Sequence, residues 1–298
     1  MTFLRPLIMC SSLIQHRIGM FLVLFSLHFV LLSSQKEKSL LWKIEGPENI
    51  VPSFLFGTIH MIPAQDFIID KKTDSVFRLS QKVVFEMDIS DPTLQLKVLR
   101  YMMLDSGKTL ESLYSPRDFR KIKKALQKQN IQIEIYARFM PIVVQQNVIL
   151  KHIMGTDIKS YELHFLSWAK ENNKPVVGLE KIEDQINALK SIPLDKQADM
   201  MKGSILRPKK SKKELLRLIK YYKKGDLERM IKIFMKDEKI EEGREALLLN
   251  RNKSWIEPLK EMMREGSVFV AVGAAHLGGE FGLIELIRKQ GYKVVPVR

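Results

Sequence analysis

The stretch SVFVAVGAAHLGGEFGLIELIRKQGYKVVPV (267–297) constrains the fold more than any other part of the chain. It reads as a strand, SVFVAVGAAHL, then a helix, GEFGLIELIRKQG, ended by Gly291, then a final strand, YKVVPV. Strand, helix and strand in that order make the βαβ unit, whose handed crossover joins parallel strands. The expectation is a parallel pairing inside an α/β sheet.

Upstream segments extend that sheet. SLLWKIEG (39–46) and SFLFGTIHM (53–61) are short, apolar or alternating, and separated by Gly-Pro-Glu-Asn, which predicts a hairpin. DSVFRLSQ (74–81) reads as the end of a helix and KVVFEMDI (82–89) as a strand. Residues 91–151 are mainly helical, with Ser115 and Pro116 opening one helix. GTDIKSYELHFLSWAKENNK (155–174) is a further expected helix, with Asp157 as its cap, feeding the short strand PVVGLE (175–180). KIEDQINALKSI begins a second helical stretch reaching to about Glu265. At 298 residues, 45% hydrophobic and 28% charged, the chain can bury a sizeable core. The expected class is α/β: a mixed, largely parallel central sheet, helices on its faces and helical insertions.

The strand ends carry the chemistry. One strand ends at His60, the next at Glu86, then Glu180 and His276. In open α/β sheets, ligands bind beyond the carboxyl ends of the strands. Parallel neighbours would therefore bring two imidazoles and two carboxylates together, a donor set suited to Zn, Mn, Co or Fe. His60 and His276 each close a Gly-x-x-His motif, and Gly57 and Gly273 would let the backbone approach closely there. Four histidines follow residue 34, and the other two, His152 and His164, sit in helical patterns that suit structural roles. No His-Glu-x-x-His, Gly-x-Ser-x-Gly or phosphate loop occurs, which counts against zincins, serine hydrolases and nucleotide enzymes.

The N-terminus reads as separate from the fold. Residues 1–34 carry a basic flank, an apolar run from about Ile18 to Leu32, and Ser33 and Ser34. That run is shorter than the roughly 20 residues of a spanning helix, so it reads as a cleaved signal peptide, with an uncleaved N-terminal anchor as the alternative. The expected location is accordingly periplasmic, secreted or on the outer face of a membrane. The one cysteine, Cys10, lies in this leader, so a mature chain would have neither disulfide nor cysteine nucleophile. The formal charge is +15, and loss of Arg5 and Arg17 with the leader would leave +13. Much of it lies in 207–239, which reads as the solvated face of amphipathic helices over Leu215, Leu216, Ile219, Tyr222 and Leu227. The same face is compatible with weak association with an anionic membrane surface, and export argues against nucleic acid. The pattern leaves the oligomeric state open.

Several blocks together resemble the TraB/GumN family, which is related to the Tiki-type metalloproteases. They are LLWKIEGPENIVPSFLFGTIHM, VVFEMD, GTDIKSYELHFLSWAKENNKPVVGLEKIEDQ, LLLNRNKSWIEPL and VAVGAAHLGGEFGLIELIRKQGYKVVPV, in the expected order over essentially the whole mature chain. The resemblance implies one α/β domain over 35–298, with helical insertions at about 91–155 and 185–262. It also implies divalent-metal-dependent peptide hydrolysis, with His60, His276 and Glu86 carried over by position as metal ligands. Glu180 and the Arg251-Asn252 pair match further blocks. On that basis Glu86 or Glu180 would be the catalytic base and Arg251 would stabilise the oxyanion. The metal would be Mn, Co or Zn and the partner a peptide or protein substrate. The competing reading is a protein that sequesters a peptide or a metallated ligand without turnover, as pheromone inhibitors of this family would.

Overall fold

The computed structural model describes residues 37–46, 51–149, 154, 157–236 and 238–297. The leader with Cys10, the hairpin turn at 47–50 and His152 lie outside the described residues. In chain order the regular elements are β1 (Leu41–Glu45), β2 (Ser53–Thr58), β3 (Ile62–Pro63), α1 (Lys71–Leu79), β4 (Lys82–Phe85), α2 (Leu94–Tyr101), α3 (Pro116–Gln127), α4 (Pro141–Ile149) and β5 (Ile158–Lys159). They continue with α5 (Tyr161–Glu171), β6 (Val176–Gly178), α6 (Ile182–Lys190), α7 (Leu194–Leu206), α8 (Pro208–Tyr222), α9 (Leu227–Met235), α10 (Asn250–Glu265), β7 (Val268–Gly273), α11 (Leu283–Lys289) and β8 (Lys293–Pro296).

The fold is α/β. Six strands form one sheet in the order β6-β4-β7-β2-β1-β8, and β3 pairs with β5 separately. β6, β4, β7 and β2 are paired in parallel, and β1 runs antiparallel to both β2 and β8. The expected hairpin of β1 and β2 is present. The closing strand-helix-strand unit differs from expectation in one respect. β7 and β8 run the same way but are not paired, because β2 and β1 lie between them. β7, with buried Val268 to Val272, is taken into the sheet's middle, where only an uninterrupted apolar run fits. β8, with Lys293 exposed, takes the edge.

Aromatic side chains seal one set of helices to the sheet. Phe77 of α1 and Phe165 of α5 stack on each other, and both meet Phe269 of β7 edge-on or tilted, with centroids 5.2 and 4.9 Å away. Phe56 of β2 packs edge-on to Phe165. Each such ring removed from water contributes roughly 1.5–3 kcal/mol before entropy is counted. The helical insertions build a second apolar cluster from Leu110, Ile122, Leu126, Val144, Met201 and Ile205.

Two local expectations are corrected. α5 is capped by Ser160, whose Oγ accepts from Leu163 N at 3.3 Å, and not by Asp157. The preceding residues are drawn off into β5, and the Asp157 carbonyl accepts from Ala64 N. On α8, Ile219 and Tyr222 are buried and Leu215 is partly covered, but Leu216 is 50% exposed. Leu216 lies about 100° round the helix from Leu215, which takes it off the apolar stripe. No helix among the described residues is long and apolar enough to cross a membrane.

Candidate functional site

Because β2, β7, β4 and β6 are parallel, their carboxyl ends share one edge of the sheet, and the four expected residues follow those ends directly. Glu86 comes one residue after β4, Glu180 two after β6, His60 two after β2, and His276 three after β7 on a short 3-10 turn. The β4 and β6 turns are laced together: the Glu86 carbonyl accepts from the backbone N of Leu179 and Glu180 at 3.1 and 2.9 Å. Gly178 permits this closeness, since a Cβ there would stand 2.4 Å from Asp88 N. Gly57 is packed too, with a would-be Cβ 3.2 Å from Ala274.

Arg251 is the hub of the cluster. Its Nε donates to both Glu180 oxygens at 2.9 and 3.1 Å, and Nη2 donates to Glu180 Oε1 at 2.6 Å and Glu86 Oε2 at 2.7 Å. Nη1 donates to the Leu247 carbonyl at 3.1 Å and to His276 Nε2 at 3.2 Å. These contacts engage all three guanidinium nitrogens. The chain delivers Arg251 here through a π-helical turn, Glu245–Leu249, immediately before α10. Such turns leave carbonyls out of the regular ladder, and Leu247 O is the one Arg251 uses. Trp255, one turn on and fully buried, closes the floor: its ring lies 4.6 Å from His276 and its Nε1–H donates to Glu180 Oε2 at 3.1 Å.

The buried side chains have defined charge states. Burial dominates at His276 and holds its pKa down to about 3, so the ring is neutral. Its Nδ1–H donates to Asn252 Oδ1 at 2.6 Å, which leaves the Nε2 lone pair to accept from Arg251. Burial also pushes Glu86 upward. The positive charges of His276, His60 and Arg251 and a 2.8 Å hydrogen bond from Gly273 N outweigh it and hold the carboxyl well below the ordinary range. With His276 itself neutral, His60, Arg251 and the Gly273 amide are the lasting causes. Gln185 adds a bond from Nε2 to Glu86 Oε2 at 3.1 Å. Burial raises Glu180 despite its pairing with Arg251.

His60 stands apart from this hydrogen-bonded core. Its side chain is 66% exposed, and Nδ1–H donates to Glu162 Oε1 at 2.8 Å. Crowding of the ring disfavours its charge, but the Glu162 bond and charge, with Glu86 behind them, outweigh this and raise the pKa to about 9. Solvent reaches so much of the ring that the shift adds little to stability. The charges of Glu86 and Arg251 act on His60, and His60 acts on His276, so all four belong to one electrostatic neighbourhood. Glu162, Thr58, Gln185 and Trp255 were not singled out from the sequence. Glu162 is 104 residues from Thr58 and lies in an ordinary helix start, so no local pattern marks it. The helix expected from Gly279 starts later: Gly282 N donates to Gly279 O in a turn, and α11 begins at Leu283.

The donor chemistry suits a divalent cation. Both imidazoles commit Nδ1–H to an acceptor, which is how metal-bound histidines are usually held, and Glu86 Oε1 stands 3.8 Å from His276 Nε2. Among the described residues, no three His, Cys, Asp or Glu side chains are gathered into a ready-made cage. Arg251 supplies one positive charge that pairs with both carboxylates.

A largely parallel sheet whose strand ends collect histidine, glutamate and arginine places the chain among the α/β proteins with a polar site at the sheet's carboxyl edge. The chain belongs to the TraB/PrgY/gumN family, whose model matches residues 40–296. Among curated proteins it is similar to metalloprotease TIKI2 of Danio rerio, 23% identical over 88% of this chain and 61% of that one. It is also similar to metalloprotease TIKI1 of Xenopus tropicalis (25%, 86% and 61%) and of Homo sapiens (24%, 86% and 61%). The chain thus spans about three fifths of the length of these relatives. No solved structure matches it.

Proposed function

We propose that this chain is an exported, divalent-metal-dependent hydrolase that cleaves peptide bonds. One observation supports this above the others: His60 and His276, 216 residues apart, each give Nδ1–H to an acceptor, and His276 Nε2, which accepts from Arg251 in this structure, stands 3.8 Å from Glu86 Oε1. Kinship with proteins named metalloproteases points the same way. His60, His276 and Glu86 would hold Mn, Co or Zn. When bound, the metal would supply a water whose pKa falls from about 15.7 toward about 7.

The remaining groups divide the work. Glu180, which burial already pushes toward proton uptake, takes the proton of the attacking water and passes it to the leaving amine. Arg251 keeps both buried carboxylates paired and can serve an oxyanion only by giving up one of its present partners. Trp255 and Asn252 hold Glu180 and His276 in register. The exposed basic face of α8, with Lys209, Lys213, Arg217 and Lys220, favours approach to anionic surfaces.

The test uses metal-stripped full-length protein titrated with Mn, Co and Zn by calorimetry, then assayed on a mixed peptide library by mass spectrometry. Binding lost in His60→Ala plus His276→Ala, with metal-dependent cleavage, is expected. Binding without cleavage would favour sequestration. Absence of binding would refute the shared metal site.

A further inference from the structure

Glu162 carries an arrangement that the proposed ligand set does not explain. It lies in the first turn of α5, where the helix end favours negative charge. Its side chain is 15% exposed, and three donors from two separate segments converge on it. Thr58 Oγ1, itself buried as the last residue of β2, donates to Oε1 at 2.6 Å. His60 Nδ1–H donates to the same oxygen at 2.8 Å, and Ser160 Oγ, the helix cap, donates to Oε2 at 3.1 Å. An imidazole that is 66% open to solvent would ordinarily sample several rotamers. Here it is tied to a carboxylate that is itself fixed by a strand end and a helix cap. Nε2 of His60 has no hydrogen-bond partner among the described residues.

From this geometry we infer that Glu162 is the positioning residue of the site: it holds His60 by Nδ1 so that Nε2 is the nitrogen presented to a metal. The inference rests on the metal-dependent reading above. Outer carboxylates of this kind fix both ring orientation and the choice of ligating nitrogen, and their loss typically costs about 10–100-fold in metal affinity. An ordinary surface ion pair would contribute little of either kind, since exposed pairs are weak and organise nothing. The Thr58 bond argues against the ordinary pair, because an exposed ion pair does not need a buried hydroxyl to aim its carboxylate. Thr58 also links the two halves of the idea in sequence. It sits two residues before His60, so β2 delivers both the ring and the hydroxyl that fixes the ring's partner.

The experiment compares wild type, Glu162→Ala and Glu162→Gln in the full chain, by calorimetric titration of metal-stripped protein with Mn(II) and Co(II) and by thermal melting. Glu162→Ala should weaken binding about 10–100-fold, and Glu162→Gln, which keeps an acceptor oxygen for Nδ1–H, should weaken it less. Unchanged affinity in Glu162→Ala with a lowered melting temperature would mean a structural role and overturn the inference. If Glu162→Ala does not fold, the glutamine variant decides: a loss of about threefold or more supports positioning, and unchanged affinity overturns it. Wild-type protein that takes up neither ion would overturn the metal reading instead. The inference is then judged from metal-free crystal structures. His60 held on Glu162 in wild type and spread over rotamers in Glu162→Ala supports it, and an unmoved ring overturns it.

Discussion

Replacing Arg251 with methionine, which keeps the length of the stem and removes the guanidinium, should be among the most damaging single changes available to this chain. Its side chain is 10% exposed, and those of Glu86 and Glu180 are 7% and 4% exposed. Removing one partner of a buried ion pair costs about 3–5 kcal/mol, because the other charge is left without compensation. Here two carboxylates lose their partner at once, and His276 Nε2 and Leu247 O lose a donor. At about 2–4 °C per kcal/mol, the melting temperature of metal-stripped protein should fall by roughly 6–20 °C. The deficit should also depend on pH. Without the guanidinium, burial would raise both folded carboxyl pKa values above their unfolded values. Stability from a raised group is present below its unfolded pKa and is lost as pH rises through the folded one. The gap between Arg251→Met and wild type should therefore already be present near pH 5, where the depressed Glu86 of wild type contributes, and should widen to its maximum above pH 7. Adding Glu180→Gln, which removes one orphaned charge, should restore part of the loss. Thermal melts of the three proteins from pH 5 to pH 8 measure all of this. A single variant within about 1 kcal/mol of wild type at every pH would refute the reasoning.

Five further substitutions probe the frame around the cluster. Asn252→Ala would leave His276 Nδ1–H and the Phe281 carbonyl without their partners and should cost about 1–3 kcal/mol in urea unfolding, with some loss of metal affinity. Gly178→Ala would drive a Cβ to 2.4 Å from a backbone nitrogen, whereas Gly57→Ala meets its nearest atoms at 3.2 Å. Chemical denaturation should find the first more damaging than the second, at roughly 1–3 kcal/mol or above. Ser160→Ala should cost about 1 kcal/mol by loss of the α5 cap, while Asp157→Ala should change stability much less, and melting both variants checks the reassigned helix start.

The sheet was legible where strands announce themselves by apolar runs with a turn behind them. VFVAV and SFLFGT are continuous and buried, and both fall where period and composition place them. What sequence could not supply was which strands are neighbours. The closing unit suggests that β7 and β8 pair, yet pairing depends on how much apolar surface each strand must hide, and the fully buried β7 moves to the middle while β8 stays at the edge. The site shows the same division. Glu86, Glu180 and His276 stand at strand ends, where the reading of the residues looked for them. Glu162 was invisible because Thr58 and His60, the partners that tie it to the site, are more than a hundred residues away and its own helix start is unremarkable. The π turn that aims Arg251 leaves no compositional trace in EALLL, since the distinction from an α-turn is one residue of backbone register.

The position of β7 has a consequence for how the molecule comes into being. β7 joins β2 to β4, pairing Phe54 with Phe269 and Val83 with Phe269, across separations of 215 and 186 residues. During synthesis, the β1–β2 hairpin and the β4–β6 pair are both complete while the strand that must bridge them has not yet been made. Two half-sheets then wait with open inner edges, a state prone to wrong pairing. Closure of such long loops is slow in entropy terms, so assembly waits on the last tenth of the chain. His276 follows that strand by three residues, and the polar cluster is completed in the same event that closes the sheet. A fragment ending before residue 268 would therefore keep the β4–β6 turns that carry Glu86 and Glu180 but lack His276 and the strand that joins them to β2.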